Sequence, residues 1–76
     1  MNWRERIAVD PAVCHGKACV AGTRVLVSTI LDSIADDCSE DDIVSQYPTL
    51  KHDDIRAALA YGAELARERM LYHNAA

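Results

Sequence analysis

Apolar residues recur at helical spacing through the last two-thirds of the chain and in short, strand-like runs before it. Val27, Ile30, Leu31, Ile34, Ala35 and Cys38 fall at steps of three, one, three, one and three, which lays one apolar stripe along a helix. That helix is expected from about Ser28, a good N-cap residue, to about Asp36. A second helix is expected to start at Ser39, whose hydroxyl can cap the Asp42 amide, with Cys38 and Ile43 placed as a hydrophobic staple. It should end near Tyr47, because Pro48 disfavours helix in the residue before it. The register then repeats: Leu50-Lys51-His52-Asp53-Asp54-Ile55 follows Cys38-Ser39-Glu40-Asp41-Asp42-Ile43, with Leu50 and Ile55 as the staple and Lys51 a poor cap. The third helix is expected to bury Ile55, Ala58, Leu59, Gly62, Leu65 and Ala66 and to run as far as Met70 or Tyr72. Two helices joined by the tight Tyr47-Pro48-Thr49-Leu50 connection, after a preceding helix, predict a tri-helical helix-turn-helix.

The N-terminal third is patterned differently. Ile7-Ala8-Val9 is a β-type run ending at Asp10-Pro11, and Cys19-Val20-Ala21 can pair back before Gly22-Thr23 turns the chain. Arg24-Val25-Leu26-Val27 is rich in β-branched residues and predicts another short strand. Such pieces are too short to stand as an independent sheet and must lie on the helices or pair with a second subunit. The fold class expected is therefore mostly α: a three-helix helix-turn-helix core with a short N-terminal β-hairpin.

Seventy-six residues fit one domain, which buries only roughly 60% of its unfolded surface and so invites a partner or a homodimer. The charged first residues, Met1 to Arg6, lead into no apolar run, and no stretch has the length of a membrane span. A cytoplasmic protein without a membrane contact is expected, with Cys14, Cys19 and Cys38 as reduced thiols. Net charge is −4, but eight of the 12 acids and one of the 8 bases lie between residues 32 and 54. A DNA surface should be locally basic. The middle of the chain is thus the wrong place for one, and a third helix that opens on two carboxylates is poorly suited to enter a groove lined by phosphates. The candidates for DNA contact are Lys17, Arg24, Arg4 and Arg6, acting through a β-ribbon or an arm. Two roles are open to Arg24: forking onto a phosphate, or pairing with an acid to hold the β element on the helices.

Other constellations lead less far. Cys14, His15 and Cys19 have the look of zinc ligands, but no second pair follows, and a fourth ligand would have to be Cys38 or His52. No metal, no cofactor and no catalytic residue are expected. The acids Glu40-Asp41-Asp42 and Asp53-Asp54 sit in first helical turns, where the helix dipole favours them without any cation.

The order Asp10-Pro11-Ala12-Val13-Cys14, Gly16-Lys17-Ala18-Cys19-Val20-Ala21-Gly22-Thr23-Arg24-Val25, Ser28-Thr29-Ile30-Leu31-Asp32 resembles a family catalogued as domain of unknown function family 433. Ser39, Asp42-Ile43, Tyr47-Pro48, Leu50, Asp54-Ile55 and Ala57-Ala58-Leu59-Ala60-Tyr61 continue the match, over about residues 7 to 62. His15 and Asp37 stand where that family commonly has glycine, Ala18 where it has proline, and Lys51 where it has serine or threonine. The resemblance implies a helix-turn-helix with a small β element and no catalytic group. It further implies the antitoxin half of a type II toxin–antitoxin pair, which neutralises a PIN-like nuclease and autoregulates on operator DNA. On that reading the C-terminal helical extension, residues 63 to 76, binds the partner through Leu65, Arg67, Arg69 and Met70, an arginine blunting the nuclease's metal-binding acids. The alternative is a non-enzymatic, dimeric interaction or structural module without DNA contact.

Overall fold

The computed structural model describes residues 2–68, Glu68 by its backbone alone. Two strands, β1 (Ile7–Ala8) and β2 (Cys19–Val20), precede three helices, α1 (Val27–Ala35), α2 (Glu40–Gln46) and α3 (His52–Glu68). The expected class, mostly α with a short N-terminal hairpin, is the class found. β1 and β2 pair antiparallel, with Ile7 opposite Val20 and Ala8 opposite Cys19. Between them Pro11 opens a turn that Asp10 closes twice, its carbonyl accepting from the Val13 amide (2.9 Å) and its carboxylate from the Ala12 amide (2.8 Å).

The third strand expected at residues 24–27 shrinks to one bridge, Leu26 opposite Cys19. Ser28 does not cap α1. The helix starts one residue earlier because the chain enters it straight from β2: the Val20 amide donates to the Val25 carbonyl and the Val27 amide to the Ala18 carbonyl, both at 3.0 Å. The β element thus satisfies the amide of the first helical residue, Val27. A 3₁₀ turn at Trp3–Glu5, which the sequence pattern did not announce, covers the other side of the hairpin, with Trp3 packed edge-on against Tyr61 at 4.9 Å.

Helix ends follow the expected chemistry more closely. Ser39 caps α2 and Asp42 returns the bond: the Asp42 amide donates to Ser39 Oγ (3.0 Å) and the Ser39 amide to Asp42 Oδ2 (3.2 Å). In the repeated register Asp54 takes the part of Asp42, its Oδ2 accepting from the Lys51 amide at 2.9 Å. α1 stops at Asp37, whose φ of 68° is left-handed. The Asp37 amide donates to the Ile34 carbonyl and the Cys38 amide to the Ser33 carbonyl, both at 3.0 Å, which is the Schellman pattern. Asp37→Gly should therefore raise stability by about 0.5–1 kcal/mol, since glycine enters this region without a Cβ penalty and an acid leaves a helix C-terminus. Thermal unfolding should show a rise of several degrees. An unchanged midpoint would mean that the left-handed Asp37 carries no strain.

The core is Ile7, Val20, Val27, Ile30, Ile43, Leu50, Ile55, Ala57 and Ala58. It departs from the expected α3 face: Ala57 is buried, whereas Leu59, Leu65 and Ala66 are exposed. On α1, Ala35 is exposed as well. Leu65 and Ala66 lie in the C-terminal half of α3, which at about 1.5 Å per residue is nearly twice as long as α1.

Candidate functional site

The cations proposed for DNA stand in different surroundings. Arg6 is taken up by α3: its Nη1 lies 2.9 Å from Asp54 Oδ1 and its Nη2 3.5 Å from Asp53 Oδ2. The pairing that could have fallen to Arg24, holding the β element on the helices, falls to Arg6 instead. Arg4 lays its guanidinium over the Trp3 ring at 4.5 Å from the centroid, where a cation–π contact holds it. Lys17 and Arg24 are exposed, and each lines a groove of its own. Among the described residues neither makes a salt bridge. The acids at the helix starts draw in a further side chain. His52, first residue of α3, sets Nδ1 3.2 Å from Glu40 Oε1 and Nε2 3.1 Å from Asp41 Oδ1. That pins the start of α3 to the start of α2 and leaves His52 committed elsewhere than to Cys14, His15 and Cys19.

An apolar groove lies between α1 and α3. Val27 and Leu31 of α1 face Tyr61, Gly62 and Leu65 of α3 across an open groove of about 420 Å³, with Lys17 as its charged lining residue. Gly62 sets the separation of the two helices, since a Cβ there would stand 3.2 Å from Leu31 Cδ1. Of the residues proposed for a partner, Leu65 lines this groove. Arg67 pairs with Glu64 at 3.2 Å on the exposed side of α3. Arg69 and Met70 lie outside the described residues. The sequence pattern offered Leu65 both as core and as a partner contact, but it put Gly62 in the core and gave no groove between α1 and α3. A glycine inside a strongly helical run carried the signal, since it costs about 1 kcal/mol against alanine and such a position usually answers to packing.

A second, more polar groove of about 540 Å³ lies beside the hairpin, lined by Asp10, Val13, Cys19, Thr23 and Arg24 among others. Its rim is a turn over Val20–Thr23 with Gly22 at φ 80°, braced by Thr23, whose hydroxyl donates to the Val20 carbonyl (2.8 Å) and accepts from the Val25 amide (3.1 Å). Thr23 is thereby occupied in the turn itself. Burial, and after it the neighbouring Cys14 thiol, push the Cys19 thiol above its ordinary pKa. Among the described residues no three His, Cys, Asp or Glu side chains converge as metal ligands, and no helix is long and apolar enough to cross a membrane.

The chain is similar to known proteins. The family model described as "Protein of unknown function (DUF433)" matches residues 7–62. The chain belongs to the DUF433 family. A crystal structure of a DUF433 member protein from Anabaena variabilis ATCC 29413, at 2.00 Å resolution, is similar to it with 27% identity and a TM-score of 0.76. The similarity covers 83% of this chain and 62% of that one, so the present chain corresponds to under two-thirds of that DUF433 protein. No curated protein matches the chain.

Proposed function

We propose that this DUF433 chain is a non-enzymatic binding protein of the antitoxin type, which works by seating a partner protein in the groove between α1 and α3. The observation that carries the reading is that groove: apolar, open to solvent and edged by Lys17. It suits a partner segment that offers apolar side chains and a carboxylate. A PIN-like nuclease fits on chemical grounds, because its acids would meet Lys17 at the groove, with Arg67 available on the exposed side of α3. Arg69 and Met70 are the further residues proposed for the partner, outside the described part of the chain. Operator binding, in this reading, uses Lys17, Arg24 and Arg4 and leaves Arg6 in its ion pairs. A dimeric module without DNA contact is the second reading, favoured by the carboxylates of Glu40, Asp41, Asp42 and Asp53 around the start of the helix-turn-helix.

The test is co-expression with a nuclease encoded beside the gene, followed by purification and binding measurements. A stable complex is expected, and Leu65→Asp should weaken it at least about tenfold. The same substitution should shift folding stability by no more than about 0.5 kcal/mol, because Leu65 is 38% exposed. Fluorescence anisotropy on the operator then separates the two readings. Recovery of the chain alone as a homodimer, with no nuclease bound, would sink the antitoxin reading.

A further inference from the structure

We propose that Cys14 and Cys19 form an oxidisable dithiol, which a peroxide converts to an intramolecular disulfide while Cys38 is left free. This goes beyond the binding function above and does not depend on it.

The backbone brings the two thiols to one place. Cys14, His15 and Gly16 are consecutive left-handed residues, with φ of 53°, 56° and 81°. Their turn is closed by the Gly16 amide donating to the Val13 carbonyl (3.1 Å) and the Lys17 amide to the Cys14 carbonyl (3.0 Å). Three such residues in a row curl the loop back over β2. The Cys14 thiol then donates to the Arg24 carbonyl at 3.6 Å. Arg24 lines the polar groove together with Cys19, and Leu26, two residues on, bridges Cys19. The Cys14 side chain accordingly touches the segment that flanks Cys19, and its thiol is among the groups that raise the Cys19 pKa. Holding two non-glycine residues left-handed is a conformational cost that the loop carries just where it presents this pair.

Their exposure assigns the order of events. Cys14 is half-buried and reachable, whereas Cys19 is 1% exposed and has no access to solvent of its own. The Cys14 thiolate attacks one peroxide oxygen, the O–O bond breaks, and the departing hydroxide takes a proton to leave as water. Cys14 is then a sulfenic acid. Cys19 sulfur displaces its hydroxyl, which leaves with the Cys19 proton as a second water, and the S–S bond forms. Two thiols lose two electrons and one peroxide gains them. Cys38 sits in the staple at the start of α2, and Cys19 and Cys14 belong to the other end of α1.

Trypsin separates the pair, because Lys17 lies between Cys14 and Cys19 and Arg24 between Cys19 and Cys38. The reduced full-length chain would be treated with hydrogen peroxide, blocked with an alkylating agent and digested. Peptides 7–17 and 18–24 are expected to be joined, on the order of ten times faster than Cys38 is oxidised. Cys19→Ala should halt the reaction at a Cys14 sulfenic acid that dimedone traps, and Cys14→Ser should leave Cys19 reduced under the same peroxide treatment. Phenylarsine oxide, which bridges adjacent thiols, should bind the unaltered chain one to one and so reads proximity without any variant. Cross-links through Cys38, or a sulfenic acid that persists on Cys14 in the unaltered chain, would overturn the proposal.

Discussion

Replacing Asp54 with alanine is expected to destabilise the fold by about 2–3 kcal/mol, far more than acids in a first helical turn usually carry. Asp54 is 7% exposed and both its oxygens are engaged, Oδ1 by Arg6 and Oδ2 by the Lys51 amide. Losing the bond to the Lys51 amide costs about 1 kcal/mol, the usual worth of a cap. A charge-assisted bond to a guanidinium contributes about 1.5–3 kcal/mol, and the lower part of that range applies because the Arg6 side chain is 36% exposed. Arg6→Ala should cost about 2 kcal/mol, since it strands a buried carboxylate on one remaining partner. The two losses should not add. In a double-mutant cycle read by urea unfolding, a coupling of about 1–2 kcal/mol is expected. Additive losses, or an Asp54→Ala variant within about 0.5 kcal/mol of the parent, would show that the pair does not tie the N-terminal segment to α3.

The same network explains which parts of the molecule the sequence made legible. Ser39 with Asp42, the Cys38–Ile43 staple, the stop before Pro48 and the left-handed Asp37 all act within six residues of chain. The cap, the staple and the stop before Pro48 could be read from spacing and residue type alone, whereas Asp37 drew notice only as a position where the family commonly has glycine. The repeat of that register at Lys51 was legible too, although it identified Asp54 only as a dipole partner. What it hid was Arg6, 48 positions away, because nothing local says which of many acids a given arginine will meet. Ser28 failed as a cap for a related reason: the helix begins before it, at Val27, whose amide donates to the Ala18 carbonyl across the β element. The inward face of α3 was misjudged at Leu59, Leu65 and Ala66, which the periodicity put inside and the fold leaves exposed. A stripe records what a helix can bury, not how far its partners reach. Leu65 is therefore groove lining and not core, which leaves the partner-contact reading of that residue and not the packing one.

Ile30→Ala is expected to have the largest effect of any single substitution, about 3–4 kcal/mol. Ile30 is fully buried, 0% exposed, on the α1 face that packs against α3. Removing three carbons from such a site forfeits their transfer energy and leaves a cavity that rigid neighbours fill only in part. Those neighbours include Ile43 and Ile55, both buried in the same cluster. A chain of 76 residues has roughly 4–11 kcal/mol in total at the usual range per residue, and its small size puts it at the low end. The variant should thus be substantially unfolded near 37 °C, and urea unfolding at 15 °C should show the midpoint displaced with the slope unchanged. Because Ile30 reaches neither groove, any partner that binds only the folded form must restore part of the loss. At a hundredfold excess over its Kd, a partner returns about 2.7 kcal/mol. Protection of Ile30→Ala by the candidate nuclease, absent when Leu65→Asp is combined with it, would place the binding energy in the α1–α3 groove. Protection that survives Leu65→Asp would place it elsewhere on the fold.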